Sequence, residues 1–393
     1  MNILIYFGNQ LNPQKGGTER IACKIADYLT EAGYNIYYMC ACPSNDSQDR
    51  ESSFLPDMME TPSDNNVAYI QHFISTHKID AVINEGASTE SVYLFSHEYI
   101  PSDVRIINHL HFNVRGDIDN FYRTLYLPVR GVSLKMKVTN ICKLLKAPYN
   151  KWYSLDNKRK RYRYMHANSD STVVLSDKQL SAMKRLIGVG ESKKVISIPN
   201  PIEIVVEPDL SEKTNEILFV GRLDYSSKRV DRVLRVWHRL QNRLPEWSLK
   251  IIGSGPDENR LKKIASNMRL NRVAFIGNTD PTPHYSRARI LLLTSNYEGT
   301  PTVIPEAMSR GVVPIVMNSF SDADMFIRDG GNGYLTPPFN IAAMANTIEN
   351  LANNPANLNE MSNNGIKTIL DFQKKLSRIF HLWEELVEVK DAK

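Results

Sequence analysis

The segment Glu298-Gly299-Thr300-Pro301-Thr302-Val303-Ile304-Pro305-Glu306 sets two carboxylates eight residues apart across a turn and a helix start. Carboxylates accept paired hydroxyls well, so one acid can hold a sugar and the other a ribose. Gly299 and Pro301 shape the turn, and the backbone N–H groups near Thr302 and Val303 suit a phosphate at a helix N-terminus. Arg222 and Lys228 lie six residues apart, just beyond the apolar run Phe219-Val220-Gly221. Two cations on a strand-to-helix loop can clamp a diphosphate and stabilise charge developing on a leaving phosphate. Gly16-Gly17-Thr18-Glu19 follows the first apolar run. Paired glycines let the backbone approach a ligand, and the helix they open offers N–H groups to an anion or a sugar hydroxyl. The spacing is not the G-x-G-x-x-G dinucleotide fingerprint. His109-Leu110-His111 ends another apolar run. The two rings share a face if the strand continues, but no third or fourth ligand is visible, so no metal is assigned.

These residues need elements to position them. Ile3–Phe7, 34–42, 80–84, 104–108, 172–176 and 195–198 read as short strands separated by helical stretches. That alternation predicts parallel sheets with crossover connections. Pro199, Pro201 and Pro208 then interrupt the pattern, which places a domain junction near residues 199–210. Strand and helix patterns resume with 216–220, 247–252, 273–277, 290–294 and 314–316. Residues 371–387 read as one amphipathic helix carrying Phe372, Leu376, Ile379, Phe380, Trp383 and Leu386. The expected fold class is α/β, with two doubly wound domains, residues 1–200 and 205–370. Ligands in such sheets bind at the carboxyl ends of strands.

Taken together, these segments resemble the retaining glycosyltransferases of family 4, of the type that builds bacterial surface polysaccharide. The resemblance covers nearly the whole chain: Gly-Gly-Thr-Glu, Val-Gly-Arg-Leu…Lys, Ile252-Gly253-Ser254-Gly255-Pro256 and the Glu-x7-Glu block. It implies the GT-B fold, two facing Rossmann-like domains with a cleft between them and a C-terminal helix, 371–393, packing back on the first. It also implies residue roles. Arg222 and Lys228 hold the donor diphosphate, Glu306 the ribose and Glu298 the transferred sugar. The Gly299, Thr300, Pro301, Thr302 and Val303 backbone lies along the donor. Ile276, Gly277 and Asn278 meet the nucleobase, and Gly16 and Gly17 approach from the other domain. His111 stands near the reacting sugar and counts as catalytic with Glu298, Arg222 and Lys228. The implied reaction is retaining, metal-independent sugar transfer, with a nucleotide-sugar (a UDP-sugar) as substrate, no cofactor, and a saccharide or lipid-linked acceptor. Two features depart from the common pattern: Lys228 is followed by Arg229 where glycine is frequent, and Pro305 precedes Glu306. A nucleotide-sugar 2-epimerase of related fold would need acid–base groups at C2 of the sugar. A non-catalytic binding subunit is expected to lose Glu298, Glu306 or the Arg/Lys pair, and all four are present.

Composition sets the remaining bounds. Hydrophobic residues make up 42% and charged residues 23% of 393, which excludes a collagen-like or largely disordered chain. Cys23, Cys40, Cys42 and Cys142 form no CxxC pair and read as thiols of a reducing compartment. Residues 1–7 lack a basic region before the apolar run and so do not read as a signal peptide. Net charge is only +5, yet Arg115–Arg163 holds thirteen Lys and Arg against three Asp, a balance of +10. Phe121, Tyr122, Tyr126, Tyr149, Trp152, Tyr153, Tyr162 and Tyr164 accompany them. An anionic lipid surface, nucleic acid and plain solvent all suit such a mixture. The reading taken is an anionic membrane surface and no nucleic acid, hence a cytoplasmic protein peripheral to the inner face of the plasma membrane.

Overall fold

β-branched and apolar runs bounded by Gly, Asn or Asp form strands here, and the amphipathic stretches between them form helices. The computed structural model describes residues 1–12, 16–43, 50–125, 134–202, 204, 206 and 210–388, with the backbone alone for 134–137. Tyr126, Arg130, Pro208 and residues 389–393 lie outside the described residues. The chain divides into two units, each with its own sheet and core.

Unit 1 comprises residues 1–114, 152–201 and 375–393. Its strands are β1 (Asn2–Asn9), β2 (Asn35–Cys42), β3 (Ser52–Phe54), β4 (Ala81–Asn84), β5 (Arg105–His109), β6 (Ser171–Val174) and β7 (Val195–Ser197). They lie in the order β3-β2-β1-β4-β5-β6-β7, every pair parallel. Unit 2 comprises 115–151 and 202–374. Its strands are β8 (Glu216–Val220), β9 (Ser248–Ile252), β10 (Val273–Gly277), β11 (Ile290–Leu293), β12 (Val313–Met317) and β13 (Tyr334–Thr336). Their order is β10-β9-β8-β11-β12-β13, again all parallel. Sheets covered on both faces need strands that are apolar throughout. β4 and β11 accordingly bury every residue. In each sheet the chain winds outward, then crosses to the far side of its first strand. The switch points therefore fall between β1 and β4 and between β8 and β11. β3 and β13 were not expected from sequence; each is a three-residue edge strand, too short to show a period.

Two expectations need correction. The first domain does not hold all of residues 1–200, because Arg115–Lys151 packs with unit 2. Asn120 Nδ2 donates to the carbonyls of Asn296, at 2.6 Å, and Ser319, at 2.8 Å. The C-terminal stretch is also not one helix. Helix Pro355–Gln373 ends, and helix Leu376–Glu388 begins after two residues. Phe372 packs edge-on against Phe326 of unit 2, whereas Tyr28 of unit 1 stacks on Phe380. One apolar stripe serves two cores.

Candidate active site

At the carboxyl edge of the unit 2 sheet, the loop after β8 is laid directly on the loop after β9. Gly221 N donates to Ile252 O at 3.0 Å, and Leu223 N to Ser254 O at 2.9 Å. A Cβ on Gly253 would sit 2.1 Å from Gly221 O, and one on Gly255 would sit 2.5 Å from Leu223 O. Only glycine permits this crossing, which is the physical content of the Gly253-Ser254-Gly255 motif. Asp224 then shapes the loop from inside. Its carboxylate accepts from Ser227 N at 2.7 Å, Lys228 N at 3.1 Å, Ser227 Oγ at 2.9 Å and Arg222 Nε at 2.7 Å. Burial raises the Asp224 pKa, but these donors outweigh burial and hold it below the usual carboxylate range. Arg222 is thus anchored by one nitrogen while its side chain remains 67% exposed.

Lys228 reaches across the switch point. Its Nζ lies 2.7 and 2.8 Å from the two carboxylate oxygens of Glu298, which stands beyond β11. Ser295 Oγ donates to the same Glu298 at 2.6 Å. The two loops are braced beneath. Asn296 Nδ2 donates to Ser226 O at 2.7 Å, and Arg232 donates to Thr294 O and Asn296 Oδ1, both at 2.7 Å. Burial, with Arg229 next to it, lowers the Arg232 guanidinium to about 9. After Glu298, Gly299, Thr300 and Pro301 are buried, and Thr300 Oγ1 has no hydrogen-bond partner. Thr302 precedes the helix Val303–Ser309, which carries Glu306 in its first turn. Tyr285 OH donates to Glu306 Oε2 at 3.2 Å. Pro305 sits at the third helical position, where its missing N–H costs little. On β10 the register shifts between Phe275 and Gly277, so the bulge at Ile276 turns that side chain outward, 37% exposed. Asn278 follows, exposed.

On unit 1, Gly16 precedes the helix Gly17–Glu31 in extended backbone that any residue adopts. A Cβ there would meet the Glu19 carboxylate at 2.7 Å, a flexible tip. His109 closes β5 and His111 follows two residues later, both buried. Among the described residues, the one His, Cys, Asp and Glu group placed to hold a metal is Glu85, His109 and His111, whose ligand atoms lie within 4.8 Å of one another. The third group that sequence reading did not find is therefore present, 24 residues before His109.

The comparisons with known proteins follow this geometry. Residues 202–368, the part carrying every unit 2 feature above, match the family model described as glycosyl transferases group 1. Over that segment the chain is similar to that family. An uncharacterised glycosyltransferase of Haemophilus influenzae is 35% identical over 175 residues, 44% of this chain and 49% of that protein. A Campylobacter jejuni N-acetyl-D-galactosaminyltransferase, named for a diphospho-undecaprenol-linked glycan, is 30% identical over 183 residues, 46% of this chain and 50% of that protein. The matched segment thus spans about half the length of each relative. Anabaena HepE in complex with UDP-glucose shares the fold at a TM-score of 0.72 and 14% identity, covering 98% of both chains. Two parallel Rossmann-like sheets and a closing helix are the architecture of GT-B enzymes.

Within the matched segment, the departure at Arg229 has a structural reason. Its φ is +54°, a backbone region where glycine is at ease and other residues are strained. Compensation comes from the side chain. Arg229 pairs with buried Asp231 at 2.9 Å, stacks over Tyr225 at 4.0 Å and donates to Arg123 O at 3.0 Å. That last bond ties residues 115–124 to the loop after β8. Sequence reading also assigned no role to Asp224, Ser295, Asn296, Arg232 or Glu85. Asp224 alone left a local trace, since an aspartate three residues before a serine marks a side-chain-to-backbone turn.

Proposed function

We propose that this protein transfers a sugar, with retention of anomeric configuration, from a UDP-sugar to a saccharide or lipid-linked saccharide. Lys228 and Glu298, facing each other across the unit 2 switch point, carry the reading. There a cation and an acid stand where the leaving phosphate and the transferred sugar meet. Arg222 and Lys228 bind the diphosphate and stabilise its charge as the bond from the anomeric carbon to the phosphate oxygen breaks. Glu298 holds sugar hydroxyls and Glu306 the ribose. Thr300 Oγ1, buried without a partner, is supplied with one by the donor. The base rests beside Ile276 and Asn278, and the backbone from Gly299 to Val303 follows the phosphates. On unit 1, Gly16, Gly17 and His111 contact a saccharide. The acceptor hydroxyl attacks the face the phosphate leaves, and its proton passes to the departing phosphate. The two cations supply the positive charge this path needs, so the reaction is metal-independent and survives chelator. UDP-bound HepE and the C. jejuni relative support the donor and acceptor classes.

The acceptor class has a second support. Helix Leu134–Ala167 exposes Val138, Ile141, Leu144, Leu145, Tyr149 and Trp152 along one face, with Leu145 76% exposed. Residues 138–155 contain three Lys and no acid. Lysines flanking an apolar stripe suit an anionic membrane. This face supports the reading of a cytoplasmic enzyme at the inner face of the plasma membrane, with its acceptor carried on lipid.

Incubation with a panel of nucleotide sugars, with and without lipid-diphosphate saccharide, tests the reading by release of free nucleotide. UDP release that rises with acceptor is expected. Arg222→Ala and Lys228→Ala should each lower the rate about a hundredfold, or about 3 kcal/mol. Full activity in both would end the diphosphate assignment.

A further inference from the structure

Glu85 is the first residue after β4, at the switch point of unit 1, where sheets of this kind receive ligands. Its side chain is fully buried, and those of His109 and His111 are 1% and 3% exposed. One carboxylate oxygen, Oε2, lies 2.7 Å from His109 Nδ1 and 2.5 Å from His111 Nε2. An ionised carboxylate can only accept, so each ring nitrogen beside Oε2 presents its N–H to that one oxygen. Burial raises the Glu85 pKa, yet the N–H groups that both rings give to the carboxylate help hold it below the usual range. Trp383 of the C-terminal helix covers His109 edge-on at 4.8 Å, and burial holds that ring below the ordinary imidazole range.

A neutral imidazole has one N–H and one lone pair. With each N–H given to Glu85, the lone pairs fall on His109 Nε2 and His111 Nδ1. Both atoms, and Glu85 Oε1, are buried without a hydrogen-bond partner. All three are acceptors beside a carboxylate, an arrangement that favours a hydroxyl and repels a phosphate. We propose that Glu85 is the positioning residue of His111, holding its ring with the proton on Nε2 so that Nδ1 accepts the O–H of a saccharide. The saccharide rests on the glycosyltransferase reading; the tautomer does not.

Nitrogen NMR of histidine-labelled protein reads the tautomer without any activity assay. The wild type should show His111 protonated at Nε2 and bare at Nδ1, and Glu85→Gln should move both shifts toward the mixture of a free ring. A proton on Nδ1 in the wild type, or shifts unmoved in Glu85→Gln, overturns the proposal. Kinetics then test the link. Glu85→Gln should lower kcat about tenfold or more, leave the donor KM within about twofold, and change nothing further on a His111→Ala background. Equal losses on both backgrounds would show that Glu85 acts elsewhere. One zinc per purified chain, lost in Glu85→Gln, would make the cluster a metal site and overturn the assignment.

Discussion

Lys228 and Glu298 neutralise one another through both carboxylate oxygens, so neither can be changed without altering the other's charge. Glu298→Ala leaves Lys228 fully available to phosphate. Free UDP should therefore bind that variant at least as tightly as the wild type, while the UDP-sugar binds more weakly. Glu306→Ala removes the proposed ribose partner and should weaken both ligands about tenfold. Calorimetry with the two ligands measures the split, and equal losses in both variants would mean the two acids are misassigned. Lys213 allows a pH prediction. Its ammonium donates to Tyr285 O at 2.9 Å and Ala288 O at 2.7 Å. Burial, then Arg289 and Arg310, brings its pKa down to about 7. An unfolded lysine titrates near 10.4. Between those values the unfolded chain binds the extra proton, so this site makes stability rise with pH. Lys213→Met lacks that gain. Its stability relative to wild type, from denaturant curves, should fall steadily from pH 7 to pH 10, and a constant difference would count against the shifted lysine.

At the scale of elements, the long helix Leu134–Ala167 corrects the reading of the basic stretch. The basic stretch includes the run Lys158–Arg161. In the structure Arg159 donates to Leu186 O, Lys160 pairs with Asp156, and Arg161 donates to Ser88 O and pairs with Glu90. All lie in unit 1, and replacing Arg159 and Arg161 would remove hydrogen bonds to its carbonyls. The membrane test moves to the apolar face. Ile141→Ser, Leu145→Ser and Trp152→Ser together should abolish sedimentation with anionic vesicles while UDP binding persists. Wild type should bind such vesicles at low salt and release at high salt, since each lysine near the surface contributes about 1 kcal/mol and salt screens it. Absence of sedimentation at any salt would give the helix face another partner. No helix among the described residues is long and apolar enough to cross a membrane.

For the whole molecule, two sheets with separate cores predict two unfolding transitions. UDP should raise only the unit 2 transition, by about 2.7 kcal/mol at a hundred times its Kd. The helix Leu376–Glu388 belongs to unit 1, where Tyr28 and Tyr34 donate to Glu384 and Glu388 and Trp383 is fully buried. Trp383→Ala should lower the other transition by about 3–5 kcal/mol and leave the UDP-sensitive one in place. Calorimetric scans with and without UDP distinguish this from one cooperative unfolding, in which both changes would move the same peak.

The sequence by itself determined the strands that bury both faces, and it singled out a break near Pro199–Pro201 and Arg222, Lys228, Glu298 and Glu306 as candidates. Each is a local matter: apolar runs, turn formers and short fixed spacings need no partner far along the chain. Tertiary structure alone decided which side chains meet. Lys228 and Glu298 are 70 residues apart, and Glu85 stands 24 and 26 residues before His109 and His111. No periodicity links such positions, because crossover connections bring non-adjacent strand ends together at the switch points. The same holds for the basic stretch. Composition gave its charge, but only packing separated the cations that cap carbonyls from the apolar face left in water.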